Sequence, residues 1–256
     1  MADNIEKTQQ GAINPTSDEG IVADLIKDLP SQEEVIIEFP SRGKFYNSIN
    51  SSHPVTLRPM TFEDEKSMAS TKNVNVDVLN LLLSRCLSNI NVDELYVLDK
   101  LFVIMKLREI SYGNEYKVKI TCSQCRKENN IILDLNKLNI RMMKEDYSDP
   151  VSVTLPVLEK VIKIRLPRIS DEKYLNTLDN TTSNIWRFVE EIDGHTKKTI
   201  IAAVLKKLPI KDMHVILGIL NGEDYGVDPE VRFACSYCSH HEAMTLPINT
   251  DFFTSN

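Results

Sequence analysis

The feature that most constrains this chain is a pair of C-x-x-C motifs, Cys122/Cys125 and Cys235/Cys238, each preceded by a stretch that alternates as a β-strand does. A strand that ends in C-x-x-C and returns as a strand forms a zinc knuckle, whose tight turn aims two thiolates at one point. Zinc takes four such ligands at about 2.3 Å, and four thiolates leave no open position for water. We therefore expect Cys122, Cys125, Cys235 and Cys238 to hold one structural Zn²⁺.

The separation of the two motifs is far longer than in a compact zinc ribbon, because residues 126–234 lie between them. Two repeats that pack about a pseudo-twofold axis would bring the knuckles together, and metal binding would offset the entropy of loop closure. Half-sites completed by another chain, reduced thiols without metal, and disulfides are the alternatives. His240 and His241 follow the second knuckle and are alternative ligands, although exposed turn residues are the simpler interpretation.

The second half of the chain repeats the layout of the first, and such self-similarity predicts a duplication. Tyr112-Gly113 precedes Cys122 by the interval at which Tyr225-Gly226 precedes Cys235. This alignment predicts an α+β fold of two duplicated, mostly helical halves, each ending in a C-x-x-C zinc-knuckle hairpin, joined as one zinc-ribbon-like core. The other matching segments are Val55–Lys66 with Val161–Lys173, Val92–Leu98 with Ile210–Ile216, and Ile131–Asn136 with Met244–Asn249.

The predicted organisation has three parts. Residues 1–33 are rich in Asn, Gln, Asp, Ser and Thr and are expected to form a flexible arm. Residues 34–136 form the first repeat, with a hairpin, helices and the first knuckle, and residues 137–256 form the second, with a strand, helices and the second knuckle. Within the arm, apolar residues recur at helical spacing, which indicates either a transient amphipathic turn or a peptide that folds onto a partner. These residues are Ile21, Leu25 and Leu29.

Local patterns predict the elements of the first repeat. A β-branched run, a Pro-Gly turn and a second short run indicate a hairpin over residues 34–46. Thr61 is placed to cap a helix whose first turn is acidic, and Gly113 is placed to end a helix that is apolar on two sides. The remaining predictions are a strand over residues 54–58, helices near 76–87 and 92–110, and a strand over 116–121.

Charge and composition limit the partners. The net charge is −7, from 30 basic and 37 acidic residues, so no general attraction to nucleic acid is expected. The N-terminus lacks a secretory pattern and no apolar run approaches the length that crosses a bilayer, so we expect a protein made and kept in a cytoplasm. Thiols stay reduced there, which favours metal binding over disulfides. Cys86 lies in an apolar segment and is interpreted as a core residue.

Catalytic motifs are absent from the sequence. It contains no phosphate loop, dinucleotide fingerprint, H-E-x-x-H or G-x-S-x-G, and eight glycines leave little material for such loops. The acidic run Glu63-Asp64-Glu65 fits a helix N-terminus, and Trp186 fits core packing. We therefore expect no enzyme.

A zinc-ribbon nucleic-acid-binding or transcription-associated adaptor is the alternative function. Zinc ribbons often serve such machinery, and Arg126 and Lys127 follow the first knuckle. The second knuckle is followed instead by Ser239, His240 and His241, and neither shows aromatic residues interleaved with a basic stripe. This pattern does not favour nucleic acid as a partner.

Several short motifs, in their order along the chain, resemble a known family. They are Phe39-Pro-Ser-Arg-Gly-Lys-Phe-Tyr46, then Leu57-Arg-Pro-Met-Thr-Phe-Glu-Asp-Glu65, then Leu107-Arg-Glu-Ile-Ser-Tyr-Gly113 and the Cys122 knuckle. Together they resemble the baseplate hub and hub-assembly proteins of T-even-type contractile-tailed bacteriophages, clearly over residues 35–136 and, through the duplication, to residue 250. The long N-terminal arm and the well-kept second half leave open which member this chain matches.

The resemblance implies a viral late protein that acts through protein contacts in the infected bacterial cytoplasm. Such a protein is either built into the central baseplate of the virion tail or helps the hub and tape-measure components to assemble, as a chaperone does. Its expected partners are therefore other phage tail proteins. Whether it is a stable subunit or a departing assembly factor, and in which oligomeric state, stays open at this point.

Overall fold

The computed structural model describes residues 18–26, 33–47, 49, 53–69, 76–175, 178–222 and 224–254. The chain divides into two compact units, Met1–Glu33 and Glu34–Asn256. Helix α1 (Asp18–Ile26) belongs to the first unit and exposes the side chains of Ile21, Val22 and Leu25. Leu29, which the helical spacing adds to this set, lies outside the described residues.

The second unit mixes helices with short strands in five small antiparallel sheets, counted over the described residues. The sheet orders are β1-β2-β3, β4-β5, β6-β10, β7-β8-β9 and β11-β12. The helices are α2 (Phe62–Ala69), α3 (Val76–Cys86), α4 (Val97–Tyr112), α5 (Leu178–Asn184), α6 (Lys198–Leu205) and α7 (Ile210–Asn221). The strands are β1 (Val35–Ile36), β2 (Thr56–Leu57), β3 (Leu87–Ser88), β4 (Glu115–Thr121), β5 (Glu128–Asp134), β6 (Ile140–Arg141), β7 (Val151–Thr154), β8 (Val161–Ile164), β9 (Val189–Ile192), β10 (Gly226–Val227), β11 (Glu230–Ala234) and β12 (His241–Thr245). Short 3₁₀ helices cover Val92–Glu94, Leu135–Lys137, Ile169–Tyr174, Ile185–Arg187 and Thr250–Phe253.

The prediction of two duplicated, mostly helical halves joined as one zinc-ribbon-like core is wrong. The described part of the second unit is a mixed α+β body with five small sheets, and one hydrophobic core runs through it. The two sequence halves also interleave, since Val97 N–H donates to the Pro167 carbonyl and Ile169 N–H to the Leu95 carbonyl. The physical reason is that α4 is apolar on two sides, so it packs against elements from both halves at once.

The helix predicted at Thr61 is confirmed, and its start shows why. Asp64 N–H donates to Thr61 Oγ1 at 3.3 Å, while Thr61 N–H donates back to Asp64 Oδ2 at 3.0 Å, a reciprocal cap for α2. Arg58 adds a salt bridge to Asp64 at 2.8 Å. Asp64, the middle residue of the acidic run at the start of α2, therefore has a structural role.

The hairpin predicted over residues 34–46 is wrong in its pairing. β1 pairs with β2, Val35 opposite Leu57, and residues 40–45 form successive turns instead of a returning strand. Asp99, a buried carboxylate on α4, holds residues 40–46 in this conformation. It accepts hydrogen bonds from the N–H and Oγ–H of Ser41 and, at 2.6 Å, from the Tyr46 hydroxyl. Backbone donors taken by a carboxylate are lost to strand pairing.

Helix α4 begins later than predicted and places the first knuckle. The 3₁₀ turn Val92–Glu94 precedes it, and the regular helix starts at Val97. It ends where predicted, because Gly113 adopts a φ of 88° and its N–H donates to the Glu109 carbonyl at 2.9 Å. β4, the first strand of the knuckle hairpin, starts at Glu115, so a very short connection joins α4 to this hairpin. No helix among the described residues is both long and apolar enough to span a membrane.

Candidate metal centre

The first C-x-x-C motif forms the tip of the β4-β5 hairpin. The strands pair in register over their full length, with Val118 opposite Ile131. At the tip, Cys122 N–H donates to the Lys127 carbonyl at 3.0 Å and Arg126 N–H donates to the Cys122 carbonyl at 2.9 Å. Arg126 adopts a φ of 58°, which tightens the turn. The predicted strand that delivers Cys122 is thereby confirmed.

The second motif forms the tip of the β11-β12 hairpin with the same local bonds. Cys235 N–H donates to the His240 carbonyl at 2.9 Å, and Ser239 N–H donates to the Cys235 carbonyl at 2.8 Å. Ser239 adopts a φ of 58°, as Arg126 does. Each tip therefore directs two sulfur atoms to the same side of its turn.

The two tips meet, and all four sulfur atoms lie within 4.8 Å of one another. The Cys122–Cys238 and Cys125–Cys235 sulfur separations are 3.7 and 3.6 Å. Sulfur atoms at the vertices of a tetrahedron around zinc are about 3.8 Å apart, whereas a disulfide bond is about 2 Å long. The four cysteines are free thiols at zinc-binding separations.

Neither histidine contributes to this ligand set. Over the described residues, the cluster of candidate ligand atoms consists of the four sulfurs alone. His240 uses its backbone carbonyl in the knuckle turn, and His241 is exposed at the start of β12. A four-sulfur donor set matches a structural zinc site and leaves no position for substrate water.

Thiolates this close together repel one another. Burial disfavours the Cys235 thiolate, but the N–H groups of Tyr237 and Cys238 and the Asn129 side chain outweigh it and lower the pKa of Cys235 to about 6. At Cys238 the His240 N–H favours the thiolate, but desolvation and the neighbouring sulfurs raise its pKa to about 12. A divalent cation offsets this repulsion and makes all four thiolates compatible.

Two residues of the centre, Asn129 and Glu242, were not predicted from the sequence. Asn129 and Glu242 reach across to the opposite knuckle, where Asn129 Oδ1 accepts from Ser236 N–H at 2.9 Å and Glu242 Oε2 accepts from Ser123 N–H at 3.1 Å. Each follows the first cysteine of its motif by the same interval, 129 − 122 and 242 − 235. This shared interval is the sequence feature that could have identified Asn129 and Glu242 as equivalent positions.

Other candidates from the sequence lie away from the centre. Cys86 is buried at the end of α3, and burial raises the pKa of its thiol to about 11, which makes it unreactive. Trp186 lies in a 3₁₀ turn, partly buried against the core, with the Arg187 guanidinium 4.5 Å from its ring centre. Both fit the structural roles predicted for them.

The comparison with protein families gives one match. The model of the family described as T4 bacteriophage base plate protein matches residues 32–254. No curated protein and no solved structure matches the chain. The family match includes both hairpins and all four cysteines of the centre.

Proposed function

This chain belongs to the family of T4 bacteriophage base plate proteins, and we propose that it acts in the phage tail as a non-enzymatic baseplate hub subunit or hub-assembly factor. The observation that carries the proposal is the family match over residues 32–254, which covers most of the chain. A baseplate protein works through contacts with other tail proteins. The hub and tape-measure components are the partners we propose, first in the host bacterial cytoplasm during assembly.

A structural Zn²⁺ is part of the proposal. Its support is the four-sulfur cluster with separations of 3.6 and 3.7 Å across the two hairpins. Zinc there would hold together two tips that lie far apart along the chain, and it would supply folding energy instead of reactivity. The residues that would hold it are Cys122, Cys125, Cys235 and Cys238.

The absence of catalysis is also proposed, from the environment of a buried carboxylate that contacts two hydroxyl groups. Ser41, Tyr46 and Asp99 form a hydroxyl-carboxylate group that superficially resembles a catalytic site. Ser41 and Asp99 are both completely buried, however, so no substrate reaches them. The group anchors the turn at residues 40–45 to α4, which is a structural task.

The nucleic-acid-binding adaptor is kept as a second candidate because of one feature at the knuckle tips. Tyr237 is 60% exposed, and Lys127 Nζ lies 4.7 Å from the centre of its ring. An exposed aromatic ring beside a cation is a unit that stacks on single-stranded bases. A single such pair on a chain of net charge −7 gives weak attraction to phosphate, so we rank this candidate second.

A pull-down from infected cells tests the function, with full-length protein and a variant that lacks residues 1–33. The exposed apolar side chains of α1 offer a docking face, so their loss is expected to reduce recovery of hub or tape-measure proteins. Zinc content and thermal unfolding should stay nearly unchanged, because the arm is polar. The triple substitution of Ile21, Val22 and Leu25 by Ser is the matched variant that keeps the arm's length.

The outcomes separate the candidates. If the full-length and the truncated protein recovered equal amounts of tail proteins, the binding surface would lie on residues 34–256. Salt-sensitive recovery of DNA without any tail protein would overturn the baseplate-assembly function in favour of the adaptor. Mass spectrometry of purified particles then distinguishes a stable hub subunit, present in the virion, from an assembly factor that departs.

A further inference from the structure

Two polar side chains cross between the hairpins at the metal centre, in opposite directions. Asn129, on β5, accepts from the N–H and Oγ–H of Ser236 at 2.9 and 2.7 Å. Glu242, on β12, accepts from the N–H of Ser123 at 3.1 Å. Ser123 and Ser236 each directly follow the first cysteine of their knuckle, so each acceptor fastens the turn of the other hairpin.

The Asn129 side of this pair also reaches a sulfur. Its Nδ2 donates to Cys235 Sγ at 3.5 Å and to the Lys127 carbonyl at 3.1 Å. The side chain is 3% exposed and uses both ends of its amide, so an acceptor faces the serine and a donor faces the sulfur. A carboxylate at this position would place negative charge against a thiolate. Glu242 is less buried and contacts the other hairpin through a single carboxylate oxygen.

We propose that Asn129 and Glu242 are positioning residues that dock the two hairpins on each other, so that zinc enters a site already formed. This inference rests on the proposed zinc site. Without such contacts the metal alone would have to offset the entropy of closing residues 126–234 into a loop. With them, hydrogen bonds between the two hairpins offset part of that cost, and Asn129 in addition donates a hydrogen bond to the sulfur of one ligand, Cys235.

Zinc affinity of the full-length protein, measured by chelator competition, tests the proposal. Asn129→Ala is expected to weaken binding about 10- to 100-fold, as loss of a group that orients a metal ligand commonly does, while one ion per chain is still bound at saturation. Glu242→Ala should weaken it less, because only one exposed hydrogen bond between the hairpins is lost. The matched controls are the exposed neighbours Asn130→Ala and Glu128→Ala, for which no change is expected.

Asn129→Asp separates contact with the sulfur from general stability. It keeps an oxygen for Ser236 but removes the donor to Cys235, so thermal stability should recover relative to Asn129→Ala whereas zinc affinity should not. Co²⁺ bound in place of zinc reports the sulfur environment directly, and a shifted thiolate-to-metal charge-transfer band is expected in both Asn129 variants. If Asn129→Ala does not fold, Ser236→Ala removes a single donor and is expected to weaken zinc binding several-fold.

Each result decides something different. If the wild-type protein binds one zinc ion and Asn129→Ala and Ser236→Ala bind it with unchanged affinity, the positioning role is wrong but the zinc site is supported. Wild-type protein that binds no zinc would overturn both. Equal losses in the control variants would show that any change on these strands disturbs the site, which also contradicts a specific role for Asn129.

Discussion

The β4-β5 hairpin leaves α4 directly, whereas the β11-β12 hairpin is separated from α7 by β10 and a further turn. The sequence does not reveal this difference between the two connections, because Tyr-Gly precedes both knuckles by the same interval. Gly113 ends α4, but Gly226 opens β10, and α7 ends earlier at Gly222 with a φ of 80°. The same dipeptide therefore lies in different elements, whereas the knuckle turns that follow have matching hydrogen bonds.

The two hairpins also differ in how they meet the core. In the first, Tyr116 and Val118 are buried, and the Tyr116 ring packs edge-on against Phe252 at 5.0 Å. In the second, Phe233 is buried while Val231 is only partly covered. A short sequence is enough to specify the tight turn and the two thiols of a knuckle. The packing of its strands on the core depends on which surfaces the rest of the fold places beside them.

The helices behind the hairpins carry buried carboxylates with different partners. Asp99, in the first turn of α4, accepts hydrogen bonds mainly from the hydroxyl groups of Ser41 and Tyr46. Asp212, in the first turn of α7, accepts from the backbone N–H groups of Val157 and Leu158 at 2.7 and 2.9 Å. Each carboxylate anchors a loop, but only the first depends on side-chain hydroxyls.

The largest expected effect tests whether the unequal hairpins share one ion. Cys122→Ser and Cys235→Ser should each reduce bound zinc from about one ion per chain to none, because either change opens the tetrahedral shell. Metal analysis after dialysis measures this. Cys86→Ala, buried away from the centre, is the control and should keep its zinc. If Cys235→Ser retained all its zinc while Cys122→Ser lost it, the hairpins would not share a site.

The next effect concerns the carboxylate behind the first hairpin. Burial raises the pKa of Asp99 from its ordinary value of 3.8 to about 6, although hydrogen bonds from Ser41 and Tyr46 oppose the shift. The folded chain therefore binds this proton more tightly than the unfolded chain does. The stability that Asp99 contributes is fully present below about pH 4 and is lost as pH rises through 6.

Asp99→Asn removes this dependence. The unfolding free energy of the wild type, relative to the variant, should fall by up to about 3 kcal/mol between pH 4 and pH 7, since one pKa unit corresponds to about 1.4 kcal/mol. Urea denaturation at several pH values measures the difference. Tyr46→Phe removes a donor that holds the pKa down, so its loss of stability should extend to higher pH. A flat difference between wild type and Asp99→Asn would contradict the assignment.

The smallest effect compares equivalent valines on the two knuckle strands. Val118→Ala should cost about 2 kcal/mol of unfolding free energy, because two buried methyl groups lose their packing. Val231→Ala should cost less than about 1 kcal/mol, since that side chain is already partly in contact with water. Denaturation at saturating zinc keeps the metal contribution equal in both variants. Equal losses would mean that the hairpins rest on the core alike.

Many local features were predictable because their causes lie within a few residues. Hydrogen-bonding groups or periodicity within a short window account for the cap at Thr61, the helix end at Gly113 and the alternating strand before Cys122. The meeting of the four cysteines was expected from the two C-x-x-C motifs together with the predicted duplication, although the duplicated helical halves themselves are wrong. The family, too, was recognised from several short motifs and their order along the chain, and the family match confirms it.

Tertiary structure alone decided which partner each group takes. β1 pairs with β2 and not with residues 44–46, because Asp99 on α4 captures the intervening turns, and no local pattern reveals a carboxylate that is distant in sequence. The two sequence halves likewise do not fold separately, because backbone groups at the start of α4 bond to segments of the second half, as Val97 N–H does to the Pro167 carbonyl. The local sequence gives Asn129 and Glu242 no distinguishing role. Their hydrogen-bond partners lie on the opposite hairpin, so these contacts exist only once the two hairpins are packed together.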